Sequence, residues 1–85
     1  MKHYASPSFG AAYDALPEAT QTVAKRSFQR LKSNPRHPGL RFKKVGLYWS
    51  VRAGLHNRAL AIEVDDGLLW FWIGSHTEYD QLINS

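Results

Sequence analysis

Leu68-Leu69-Trp70-Phe71-Trp72-Ile73-Gly74, followed directly by Ser75-His76-Thr77-Glu78-Tyr79-Asp80-Gln81-Leu82, is the stretch on which the fold turns. Its first half is an unbroken apolar run of strand length, rich in aromatics. Such a run fits a strand covered on both faces, in the middle of a sheet or under a partner. Its second half switches to polar chemistry. Ser75 and Glu78 stand three apart, the spacing of a capping box, which predicts a short helix from that point. His76 then falls in the first helical turn, with Tyr79 and Asp80 three and four residues on, along the same side. A titratable His at the exit of a buried strand, beside a phenol and a carboxylate, has the makings of an acid/base site. The plainer reading makes His76 a surface residue and Tyr79 a packing residue.

Working outward, Met1 to Ser6 can form a short edge strand. Pro7 and Ser8 break it, and Ser8 is placed to cap a helix through about Leu16. Phe9, Ala12, Tyr13 and Leu16 fall on one helical face. Pro17 suits the start of a second helix, which carries Ala24, Phe28 and Leu31 on one side and Lys25, Arg26, Gln29 and Lys32 on the other. Asn34-Pro35 stops it. The two helices form a hairpin joined at Leu16-Pro17. Leu40 to Val45, Leu47 to Ala53 and Arg58 to Asp65 read as strands, and Asp65-Asp66-Gly67 as a hairpin turn in which Gly67 tolerates positive φ. In the middle strand Leu47, Trp49, Val51 and Ala53 share one face and Tyr48, Ser50 and Arg52 the other. The order is β-α-α-β-β-β with a short C-terminal helix. This is an α+β fold: a helix hairpin on one face of a mainly antiparallel four-stranded sheet. Phe9, Tyr13, Ala24, Phe28, Leu31, Trp49, Val51, Leu60 and Ile62 are its expected core.

Eighty-five residues make one domain, spanning 1–85, and a hydrophobic fraction of 44% supports a core without staples. No cysteine is present, so disulfides and thiolate metal sites are excluded and a reducing compartment, the cytoplasm, is the simpler home. No signal peptide or membrane span is expected. Eleven Lys and Arg oppose seven acids, a net charge of +4. No acid falls between Glu18 and Glu63, whereas cations run from Lys25 to Arg58. A block of one sign attracts polyanions or an acidic protein, or is simply a solvated face.

The segments Leu31-Lys32-Ser33-Asn34-Pro35, Leu40-Arg41-Phe42-Lys43-Lys44, Tyr48-Trp49-Ser50-Val51-Arg52, Arg58-Ala59-Leu60 and Ile73-Gly74-Ser75-His76 carry a resemblance. In order and spacing, over nearly the whole chain, they resemble the RelE/ParE superfamily of toxins from bacterial type II toxin–antitoxin modules. The RelE-like branch implies an endoribonuclease, an mRNA interferase, that cleaves messenger RNA on the ribosome. The ParE-like branch implies a non-catalytic poison of DNA gyrase. Either implies a cognate antitoxin, and a third reading is a degenerate toxin kept as a binding module. The ribonuclease branch puts basic residues on the central strands, which here are Arg41, Lys43, Lys44 and Arg52, and an Arg at the entry to the next strand, here Arg58. It puts Arg or His just after the last strand, here His76. An aromatic in the terminal helix often completes the site; Tyr79 is the nearest candidate, although the family's Tyr falls where this chain has Leu82.

Metal-free RNA cleavage makes the 2′-hydroxyl a nucleophile, and needs a base, an acid and cations around the phosphorane-like transition state. No metal or other cofactor is expected: His3, His37, His56 and His76 show no HxxxH spacing. His76 alone among the candidates has an unperturbed pKa near neutrality. Arg58 and Arg52 suit bidentate phosphate contacts, or else salt bridges to Glu63, Asp65 or the C-terminal acids. Strict alternation puts Arg58 on the face of Leu60 and Ile62, so if that face packs the helices Arg58 needs a rim position or a bulge near Asn57. Lys43 and Lys44 point to opposite faces, so only one reaches a substrate held on the sheet. Trp70 and Trp72 share a face opposite Phe71 and Ile73; one pair packs the helices, and the other is free to stack on a base or to lie under an antitoxin.

Overall fold

The computed structural model describes residues 2–84; Met1, at the start of the expected edge strand, lies outside them. The elements are β1 (Lys2–Ala5), α1 (Pro7–Asp14), α2 (Glu18–Ser33), a single 3-10 turn (Pro38–Leu40), β2 (Lys43–Val45), β3 (Tyr48–Arg52), β4 (Asn57–Val64), β5 (Gly67–Ser75) and α3 (His76–Asn84). The strands form one sheet in the order β1-β5-β4-β3-β2. The α+β layout and the helix hairpin are as expected. The sheet has five strands rather than four, and it is mixed: β1 pairs parallel to β5, and the other pairings are antiparallel.

The expected edge strand is β1, and its parallel pairing with β5 has a local cause at Gly67. A Cβ there would meet the Lys2 carbonyl oxygen, so only glycine lets β1 lie in this register, Lys2 opposite Gly67 through Ala5 opposite Trp70. Gly67 is needed for this close approach, and not for a positive φ in the turn. Ser6 N–H donates to the Trp70 carbonyl at 2.9 Å, and the Tyr4 hydroxyl donates to Asp66 Oδ2 at 2.7 Å, pinning both ends of β1.

Local signals set the helices. Ser6, not Ser8, caps α1: its Oγ accepts from Phe9 N–H at 3.2 Å, and Pro7 occupies the first helical position, where its missing N–H costs nothing. Ser8 Oγ instead donates to the Phe71 carbonyl at 2.8 Å. Gln21 holds the hairpin together, its Nε2 donating to the carbonyls of Tyr13 and Leu16. α2 ends at Asn34, before Pro35. The expected strand from Leu40 starts only at Lys43, because Leu40 is buried in the 3-10 turn and Arg41 leaves it with φ 46°.

The helix hairpin packs on one face of the sheet. Ala24 and Leu31 of α2 join Val51, Ala53, Ala59, Ala61, Leu68, Trp70 and Ile73, with Phe9, Tyr13, Phe28 and Trp49 packed against them. Two expectations fail here. In β4 the helix-facing residues are Ala59 and Ala61, so Leu60 and Ile62 point the other way; Leu60 is buried there, and Ile62 is exposed. In β5 the alternation breaks. Leu60 pairs with Trp72 but Ala61 pairs with Trp70, so Phe71 is an extra residue opposite the Leu60–Ala61 step. This bulge puts Trp70 and Ile73 in the same core, where strict alternation separates them. Ser8 binds the bulge's own carbonyl. α3 packs on the second face, where Tyr79 meets Arg58.

Candidate functional site

The second face of the sheet carries the chemistry. Arg58 alternates with Ala59, so it points away from the helix hairpin, and no bulge at Asn57 is required. It is only 7% exposed. Its Nη1 donates to Ser50 Oγ at 3.3 Å, and its guanidinium carbon lies 5.1 Å from the centre of the Tyr79 ring. Its Nε is buried without a hydrogen-bond partner. Among the described residues neither Arg58 nor Arg52 has an ion pair; Glu63 accepts from the Trp49 indole at 2.8 Å and pairs with Lys44 at 3.5 Å, and the indole first and then the cation hold its carboxyl below the usual range. A buried cation with a ring and a hydroxyl for company, and no anion, is costly unless an anion arrives.

The remaining groups gather around it. Arg52 is the cross-strand partner of Arg58, and Lys43 the partner of Ser50, so both lie on this face. Lys44, paired with Trp49 and bridged to Glu63, belongs to the other face. Arg41 sits ahead of β2, exposed, outside these registers. Gly74 is opposite Arg58, and a Cβ on it would run into the Trp72 ring, so the indole of Trp72 lies over Gly74, beside Arg58.

The capping box is formed: Ser75 Oγ accepts from Glu78 N–H at 3.1 Å, and Glu78 Oε1 accepts from Ser75 N–H at 3.1 Å. It fixes the start of α3, so His76 and Tyr79 leave the sheet on one side. Their rings meet edge to face at 5.8 Å, and His76 Nδ1 is 3.1 Å from Asp80 Oδ2. An unbroken row thus runs Asp80, His76, Tyr79, Arg58, Ser50. His76 and Asp80 are half exposed, and Arg58 and Ser50 form the floor. One member was not legible as a site residue: Ser50 is wholly buried, and its only signal was a small hydroxyl on the face of Arg52. Trp72 was a candidate for stacking on a base as one of a pair with Trp70, and the bulge separates the two.

The cations of the acid-free block divide between two faces. Lys25, Arg26, Arg30 and Lys32 are exposed along α2, while Lys43, Arg52 and Arg58 lie on the sheet's second face. Among the described residues no group of three His, Cys, Asp or Glu is placed to hold a metal ion, and no helix is long and apolar enough to cross a membrane.

No family model matches the sequence, and no curated protein matches it. Solved structures do match. One is a chain of the RelB–RelE antitoxin–toxin complex from Methanococcus jannaschii, with a TM-score of 0.70 at 14% identity, over 93% of this chain and 96% of that one. The fold is RelE-like. A copper-bound mutant toxin from Helicobacter pylori superposes with a TM-score of 0.63 at 18% identity, over 92% of this chain and 97% of that one. The RelE-like fold covers the helix hairpin, the sheet and the site face together, as the resemblance in the sequence implied. At these identities the likeness is one of backbone, and the site has to be argued from its own side chains.

Proposed function

We propose that this chain acts as a single-domain toxin of a toxin–antitoxin pair, a metal-free endoribonuclease that cuts messenger RNA on the ribosome in the cytoplasm and is held inactive by an acidic antitoxin. The observation that carries the reading is Arg58: a buried cation with no ion pair among the described residues and an orphaned Nε, at the floor of a face that also bears Arg52, Lys43 and a titratable His. A phosphodiester is the anion that such a face lacks.

The chemistry follows from the row of residues. Asp80 accepts from His76 Nδ1–H, which leaves Nε2 as the free base. Nε2 takes the proton from the 2′-hydroxyl, and that oxygen attacks the adjacent phosphorus. Arg58 and Arg52 stabilise the charge that develops on the phosphoryl oxygens, and Lys43 holds the next phosphate. The 5′-oxygen leaves with a proton, and Tyr79, between His76 and Arg58, is the donor on this face. Trp72 offers a flat apolar face to a base. Ser50 holds Arg58 in place.

The test is induction of wild-type chain and of Arg58→Ala in bacterial cells, with sequencing of transcript ends. Cut transcripts with the wild type and whole ones with the variant support the nuclease. Whole transcripts with a DNA-damage response and filamentation would move the assignment to gyrase poisoning.

A further inference from the structure

A second, separate feature lies on the opposite side of the sheet. Between α2 and the sheet is a cavity of about 290 Å³. Its roof is Ala24 and Phe28, its floor Val51, Ala53 and Ala59, and Trp70 lines one side. Three of these are alanine where larger side chains would close the gap, so the space is a consequence of sequence. An enclosed apolar cavity of about 150 Å³ in a protein core takes up benzene or xenon; this one is about twice that size and partly open to solvent, so a ligand can fill it with one end in water.

The walls offer a ligand almost no hydrogen bond. The Tyr13 hydroxyl is spent on the Gln21 carbonyl, and the Trp70 indole N–H on His3 Nδ1 at 3.0 Å. His3 is held neutral there, because burial, then Lys32 and the chain terminus, lower its pKa. Lys25 is therefore the one fixed charge among the lining residues; it is exposed, and among the described residues it has no ion pair. The shape also selects. A helix about 10–12 Å across cannot enter under α2 without lifting it, whereas a flexible chain or flat ring can.

From this we infer that the cavity is a binding site for an anionic amphiphile of medium chain length, its apolar body between α2 and the sheet and its carboxylate at Lys25. The inference is independent of the site on the other face.

The experiment uses the full chain with sodium decanoate, and decanol as the uncharged comparator, followed by methyl NMR of Ala24, Val51, Ala53, Ala59 and Ile73 below micellar concentrations. The expected result is saturable one-to-one shifts confined to these methyls. Lys25→Glu should weaken decanoate about five- to tenfold and leave decanol within about twofold. Ala24→Leu and Ala59→Leu, which fill the space, should each abolish binding of both. Should either variant fail to fold, the response of the same methyls to xenon in the wild type reads the void directly. Shifts that do not saturate, equal loss of both ligands on Lys25→Glu, binding retained in the filled variants, or silence towards xenon would each overturn the inference. So would methyls that respond only to a co-expressed protein or to rising concentration of the chain itself, which would make the cavity a protein-docking slot.

Discussion

The guanidinium of Arg58 stacks on the ring of Tyr79 at 5.1 Å, and among the described residues no carboxylate is paired with it. Folding alone gives little reason for this. Burying a charge without a counter-ion opposes stability, and the ring offsets only part of that cost. Arg58→Met should therefore fold as well as the wild type or better, by up to about 2 kcal/mol, while losing RNA cleavage. Urea unfolding beside a cleavage assay checks both halves. Loss of stability together with activity would make Arg58 a structural residue.

Tyr79→Phe separates the ring from the hydroxyl. The ring keeps its place over Arg58 and against His76, so stability should change by less than about 1 kcal/mol. Cleavage should fall about 10²-fold if the phenol donates the proton. Tyr79→Ala, which empties a buried aromatic position, should cost about 3–5 kcal/mol and serves as the packing control. Full activity in Tyr79→Phe would remove the phenol from the mechanism and leave it a packing role.

His3 gives the fold a pH dependence of predictable sign. Burial, then Lys32 and the chain terminus, lower its pKa in the native state. Between the native and unfolded values the unfolded chain binds more protons, so the stabilisation is complete above the unfolded value of about 6.5 and is lost as pH falls through the native one. Protonation also removes the acceptor that Nδ1 offers to the Trp70 indole. The urea midpoint should drop on acidification below about pH 6.5. In His3→Gln, which can still accept from Trp70 but cannot titrate, that part of the slope should vanish. An unchanged slope in His3→Gln would assign the acid sensitivity to other groups.

How much of this could be read beforehand depended on whether one signal or a competition set the outcome. The capping box of Ser75 and Glu78, the stop at Asn34-Pro35 and the covered strand at Leu68 are local or one-sided, and the structure shows them as expected. The facing of β4 was a competition. Leu60 and Ile62 are the more apolar pair, yet Ala59 and Ala61 face the hairpin, because Trp70, Phe28 and Leu31 bring the bulk from the other side. In β5 the run Trp70-Phe71-Trp72 is apolar at every position, so a shift of one residue left no trace in the pattern. The site inherited both errors. His76 and Tyr79 were found through the cap, whereas the facing of Arg58 and the choice of Lys43 over Lys44 needed the register.

Gly67→Ala tests what seats the edge strand β1 on β5. The added methyl would meet the Lys2 carbonyl oxygen, a backbone atom with little freedom to yield. The substitution should cost about 1–3 kcal/mol. Amide exchange at residues 3–5 should quicken while β3 and β4 stay protected, since β1 is the edge strand. Uniform loss of protection across the sheet would show that β1 is integral to global folding.

His76 carries the last prediction. It is the first residue of α3 and half exposed, so His76→Ala should leave the fold intact, as circular dichroism would show. As the base it should be worth about 10²–10⁴ in rate, and His76→Gln should be as inactive, because an amide cannot exchange a proton near neutrality. Asp80→Asn is the finer probe. An amide at 3.1 Å can still hold the ring, but its charge no longer supports the imidazolium. The rate should fall by less than in His76→Ala, because the ring keeps its orientation while losing the neighbouring charge that stabilises it as it takes up the proton. A loss as large as that of His76→Ala would mean that Asp80 does more than orient and support the ring. Asp80→Asn equal in rate to wild type would leave His76 without an orienting partner.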